Sequence, residues 1–77
     1  MKSSASKLTK REIDVLSKIA TGLTDKDIAK KLFISPHTVH THRKNLYVKL
    51  NVNNAAALLN AAYELGILKT KSPKKAM

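Results

Sequence analysis

Apolar residues recur along this chain at helical spacing, in four separate groups. The first group is Val15, Leu16, Ile19, Ala20 and Leu23, and it predicts a helix over 10–21. Thr9 and Glu12 stand just ahead of it in the spacing of a capping box, and Gly22 follows as a residue free to take a positive φ. The second group, Ile28, Ala29 and Leu32, predicts a short helix over 25–32 with Thr24 as its cap. The third runs through Val39, His42, Leu46 and Leu50 at spacings of three, four and four, and predicts a helix over 36–50. Ser35 is a good N-cap for that helix, and Pro36 suits its first position, where a missing N–H costs nothing. The fourth group predicts a helix over 54–65, capped by Asn53 and closed by Gly66. No alternating pattern of period two persists and no internal repeat is present, so the expected fold is all-α, a four-helix bundle.

Two of the four helices have faces that the core does not use up. On the third, His37, Thr41, Lys44 and Val48 lie opposite the apolar stripe, with His40 and Tyr47 beside them. That face carries hydrogen-bonding and cationic groups. The fourth is apolar nearly all round: Ala55, Ala56, Ala57, Leu58, Leu59, Ala61, Ala62 and Leu65 leave Glu64 as its one charge. A helix of that kind usually packs on two partners, its own core and a second surface, for which a second copy of the chain is a candidate. The second and third helices are separated by room for only a tight turn, Phe33-Ile34-Ser35, which is the sequence form of a helix-turn-helix.

Composition narrows the partner. The chain has 77 residues and a formal net charge of +10. Much of that excess lies in lysines near the two ends, where residues 1–7 and 69–77 read as disordered basic tails. The segment 8–68 holds nine Lys/Arg against five Asp/Glu. Their placement matters more than their number: no Asp or Glu occurs between Ile28 and Tyr63, whereas Lys30, Lys31, Arg43, Lys44 and Lys49 all fall there. An acid-free stretch that includes the polar face of an exposed helix suits an approach to phosphate, and the DNA major groove is wide enough to admit such a helix. Cysteine is absent, which excludes disulfides and thiolate metal sites and fits a reducing, cytoplasmic setting. No apolar run approaches the ~20 residues of a membrane span. His37, His40 and His42 have no nearby carboxylate or thiol to complete a metal site, and His42 lies on the core side. No nucleophile elbow or phosphate-binding loop is seen, so no catalytic residue, metal or cofactor is expected.

The residues Leu8-Thr9-Lys10-Arg11-Glu12, Val15-Leu16, Ile19-Ala20, Gly22-Leu23-Thr24, Ile28-Ala29, Ile34-Ser35, Thr38-Val39, His42, Leu46, Lys49-Leu50 and Val52 together resemble the LuxR-type (GerE/NarL/FixJ) DNA-binding domain. The resemblance covers Leu8 to about Leu68. It implies a helix-turn-helix domain of a bacterial transcription regulator, either the output domain of a response regulator or a stand-alone protein. It also implies a homodimer on two double-stranded DNA half-sites, joined through the fourth helix. Carried over by position, base reading falls on His40, Thr41 and Lys44. Lys30, Thr38 and Lys49 fall on phosphate positions, flanked at the helix entry by Ser35 and His37. Ala55, Leu58, Leu59 and Ala62 are the residues expected at the dimer contact. RNA polymerase is a further candidate partner; a membrane or a small-molecule ligand on this domain is not expected. Where many relatives carry lysine this chain has His40, so that position keeps a donor but loses a permanent charge.

Overall fold

Each helix starts where a side chain can satisfy an otherwise unpaired amide. In the computed structural model, which describes residues 8–69, the elements are α1 (Lys10–Ala20), α2 (Asp25–Leu32), α3 (Pro36–Lys49) and α4 (Ala55–Glu64). The expected disordered tails over 1–7 and 69–77 lie outside the described residues, Lys69 excepted. All four helices begin on a polar cap: Thr9, Thr24, Ser35 and Asn54 accept from the backbone N–H of Glu12, Asp27, Thr38 and Ala57. For α1 the capping box is complete, because Glu12 Oε1 also accepts from Thr9 N at 3.0 Å. For α4 the cap is Asn54 and not the expected Asn53; the Asn54 carboxamide sits 2.8 Å from Ala57 N and also bonds the Asn53 side chain.

Helix ends fall one residue short of the predicted ones at Ala20, Lys49 and Glu64. Their last amides turn into tighter three-residue bonds, as in Thr21 N to Lys18 O at 3.1 Å. Gly22 and Gly66 take the positive φ that closes α1 and α4. The turn from α2 to α3 also needs a positive φ, and here the residue is Phe33 at φ 59, ψ 43. A Cβ makes that conformation costly, and Phe33 recovers nothing by packing, since it is 93% exposed.

The core gathers one face from each helix: Val15, Leu16 and Ile19; Ile28 and Ala29; Val39, Leu46 and Leu50; Leu58 and Ala62. Helix α3 is the central element, packed on both α1 and α2, while α1 in turn touches α2 and α4. Leu8, Leu23, Leu32, Ile34, Val52, Ile67 and Leu68 close the core at its margins.

Candidate nucleic-acid interface

Because α3 is backed by two helices, its far side is held at a fixed angle and left open. His37, His40, Thr41 and Lys44 are all exposed there, and Ser35 and Lys30 are exposed at the entry to the helix and on α2. The three expected base-reading residues and three of the five expected flanking ones, Lys30, Ser35 and His37, are thus exposed. Thr38 is half-buried, and its hydroxyl lies 2.9 Å from that of Ser35, whose Oγ also accepts from Thr38 N at 3.1 Å. Thr41 Oγ1 donates to the His37 carbonyl at 3.2 Å. Its proton is therefore engaged within the helix, which leaves the face a methyl group and an acceptor oxygen. Among the described residues, no hydrogen bond or ion pair engages the side chains of His37, His40 or Lys44.

Lys49 has a partner within the fold. Its Nζ lies 2.7 Å from Glu12 Oε1, and the Glu12 side chain is only 4% exposed. The ammonium neutralises a buried carboxylate while 28% of the Lys49 side chain stays exposed. Burial by itself would push the Glu12 carboxyl up. The hydrogen bonds from Lys49 and from the Thr9 amide, together with the positive charge of Lys49, outweigh burial and hold it below its ordinary value.

Arg43 is likewise turned inward. Its guanidinium binds Asp25 at the start of α2, with Nε 3.2 Å from Oδ1 and Nη2 closing on the same oxygen, and Nη1 reaches the Tyr47 hydroxyl at 3.5 Å. Partial burial disfavours the Arg43 charge, but the bonds to Tyr47 and Asp25 more than offset this, and its pKa is raised. Two of the three cations of α3 thus tie the helix to its neighbours: Lys49 to α1 and Arg43 to α2. Sequence reasoning missed both ties. The charge inventory contained the partners, but Glu12 and Lys49 are 37 positions apart and Asp25 and Arg43 are 18 apart, beyond the reach of any local pattern.

His42 points to the core side, as its place in the apolar stripe predicts. Its Nδ1 is buried with no hydrogen-bond partner among the described residues. The described residues bring no three His, Asp or Glu side chains together around a metal-sized space.

Helix α4 also departs from expectation. Leu58 and Ala62 are fully buried in the chain's own core and so cannot meet a second copy, while Ala55 and Leu59 are half-buried at the margin. The α4 residues that face solvent are Ala56, Asn60, Tyr63 and Glu64.

A fixed, acid-poor helix face behind a tight turn is the arrangement by which helix-turn-helix domains present one helix. The family model for bacterial regulatory proteins of the luxR family matches residues 6–62. The chain belongs to this family. Its relatives include the transcriptional regulatory protein UhpA of Escherichia coli, 47% identical over 57 residues, which are 74% of this chain and 29% of UhpA. A nitrate/nitrite response regulator protein homolog of Haemophilus influenzae is 56% identical over 50 residues, 65% of this chain and 24% of that protein. The crystal structure of ChrA, a response regulator in a heme-sensing two-component system, superposes with a TM-score of 0.77 at 41% identity, over 79% of this chain and 30% of ChrA. The chain therefore spans less than a third of the length of these three relatives. As a member of this LuxR family it is a DNA-binding domain of a transcriptional regulator, and its four helices are that domain's fold.

Proposed function

We propose that this domain recognises a specific double-stranded DNA sequence by laying α3 in the major groove. His40, Thr41 and Lys44 meet base edges, and Lys30, Ser35, His37 and Thr38 meet the flanking phosphates. The observation that carries this reading is the exposed His37–Lys44 face, free of acids, on a helix anchored from behind at Asp25 and Glu12. Lys44 is long enough to reach guanine O6 and N7, the acceptors that lysine most often reads. The Thr41 methyl suits the methyl group of thymine. Two copies bind two half-sites of an operator and touch along the outer side of α4, with Ala55 and Leu59 at its edge. The setting is the bacterial cytoplasm, where RNA polymerase is the natural second partner of such a regulator, and the domain performs no catalysis.

Selection of bound duplexes from a random pool tests the reading and returns half-site, spacing and symmetry together. Lys44→Ala is then expected to cost about 1–3 kcal/mol on the selected site and to relax preference at one base position. Lys30→Ala is expected to weaken all sequences alike and to flatten the salt dependence by about one unit of slope. Retention of full affinity and unchanged base preference by Lys44→Ala would remove Lys44 from the reading set. Replacing Ala55 and Leu59 by Gln should reduce cooperativity on paired half-sites and leave binding to a single half-site unaltered.

A further inference from the structure

The three cations of α3 are not equivalent toward DNA. Arg43 is closed on Asp25 and Lys49 on Glu12, so Lys44 is the permanent positive charge that the open face presents among the described residues. The other two ionisable side chains on that face are His37 and His40, one helical turn apart and both exposed. An exposed imidazole titrates near neutral pH, within the range where modest fields decide its charge.

The charged groups around these two histidines are few. From α1, Glu12 faces α3 and is occupied by Lys49; its other acid, Asp14, pairs with Arg11 on its own helix. From α2, Asp25 faces α3 and is occupied by Arg43; Lys26, Asp27, Lys30 and Lys31 are solvent-exposed, and three of these four are cations. On α3 itself the remaining titratable groups are Lys44, the inward His42, and Tyr47, which accepts from Arg43. Among the described residues, no carboxylate bonds either His37 or His40. A duplex supplies that missing negative charge.

We infer that His37 and His40 bind DNA as imidazolium ions, so that the domain takes up to two protons on binding and its operator affinity rises as pH falls through neutrality. The inference rests on the proposed placement of α3 in the major groove. At high pH the face offers one positive charge, from Lys44; at low pH it offers three. The sign follows from linkage: the DNA-bound state has the higher histidine pKa, so the added affinity is present below the free value and is lost as pH rises through the bound value. Partial uptake of one proton per histidine changes affinity between about pH 8 and about pH 6 by about fivefold per histidine.

The test uses the full 77-residue chain and the duplex obtained by selection at neutral pH, with affinity measured at both ends of that pH range and at constant ionic strength. Wild type is expected to bind more than tenfold tighter at the lower pH. His37→Gln and His40→Gln should each remove about fivefold of that ratio, and the double variant should remove nearly all of it. His40→Lys should bind at the higher pH as tightly as wild type does at the lower, apart from the His37 share. Thermal melts at both pH values check that each variant is folded. Site-specific binding by wild type with equal affinity at the two pH values overturns this inference and leaves the DNA-reading assignment intact. An unchanged pH ratio in the double variant also overturns it. Absence of any selected site at either pH overturns both the inference and the function on which it rests.

Discussion

Helices α3 and α4 each bury one face and leave another to be explained, yet they differ in how that division is achieved. On α3 the fully buried residues, Val39 and Leu46, are apolar and the exposed His37, His40, Thr41 and Lys44 are polar, so side-chain chemistry sorts most of the helix, with Val48 outside and His42 and Arg43 turned inward as the exceptions. On α4 the inner Leu58 and Ala62 are chemically the same as the marginal Ala55 and Leu59. Only the angle at which the helix meets α1 separates them. Where chemistry differs around a helix, the helix specifies its own orientation; where it does not, its neighbours do.

The largest effect expected from this comparison is at Leu58. Its truncation to Ala should lower stability by about 2–5 kcal/mol in urea unfolding, the usual cost of a buried leucine cavity. A loss below about 0.5 kcal/mol would put Leu58 on the partner side after all and erase the distinction between the helices.

The next effect concerns the anchor at the end of α3. Lys49→Met strands the Glu12 carboxylate beneath the helix, at an expected cost of about 2 kcal/mol, because Lys49 is partly exposed and the pair is only partly desolvated. The pair also predicts the acid limb of the stability curve. Glu12 has a folded-state pKa below its ordinary value, so its contribution is present above about pH 4 and is lost as pH falls through the folded value. Glu12→Gln should lower stability at neutral pH and flatten that acid limb; a limb of unchanged steepness in this variant would show that other carboxylates cause it.

The smallest effect is at the turn. Phe33→Gly relieves a left-handed backbone that bears a side chain without packing, and should raise stability by about 0.5–1 kcal/mol. Both helices on either side should keep their ends, which hydrogen exchange of the Ile34 amide, bonded to Ala29 O at 3.0 Å, would register.

What the sequence made legible was chiefly local. Thr9 with Glu12, Thr24, and Ser35 with Pro36 mark helix starts through interactions three residues long, and each is found in place. The inward stripe of α3 was readable for the same reason, down to the placement of His42. Asn53 and Asn54 were not separable in this way, since either carboxamide can cap and only the tertiary position of α4 selects Asn54. The same limit hid the second role of Glu12, the inward turn of Arg43 and the burial of Leu58. Each depends on which helix arrives opposite, a property of the assembled fold.

The Glu12 carboxylate has one further consequence. One oxygen atom closes the first turn of α1 through the Thr9 amide and holds the last turn of α3 through Lys49. Fraying of α1 from its N-terminal end is therefore expected to loosen the last turn of α3 with it, which hydrogen exchange of the two termini would register as one opening.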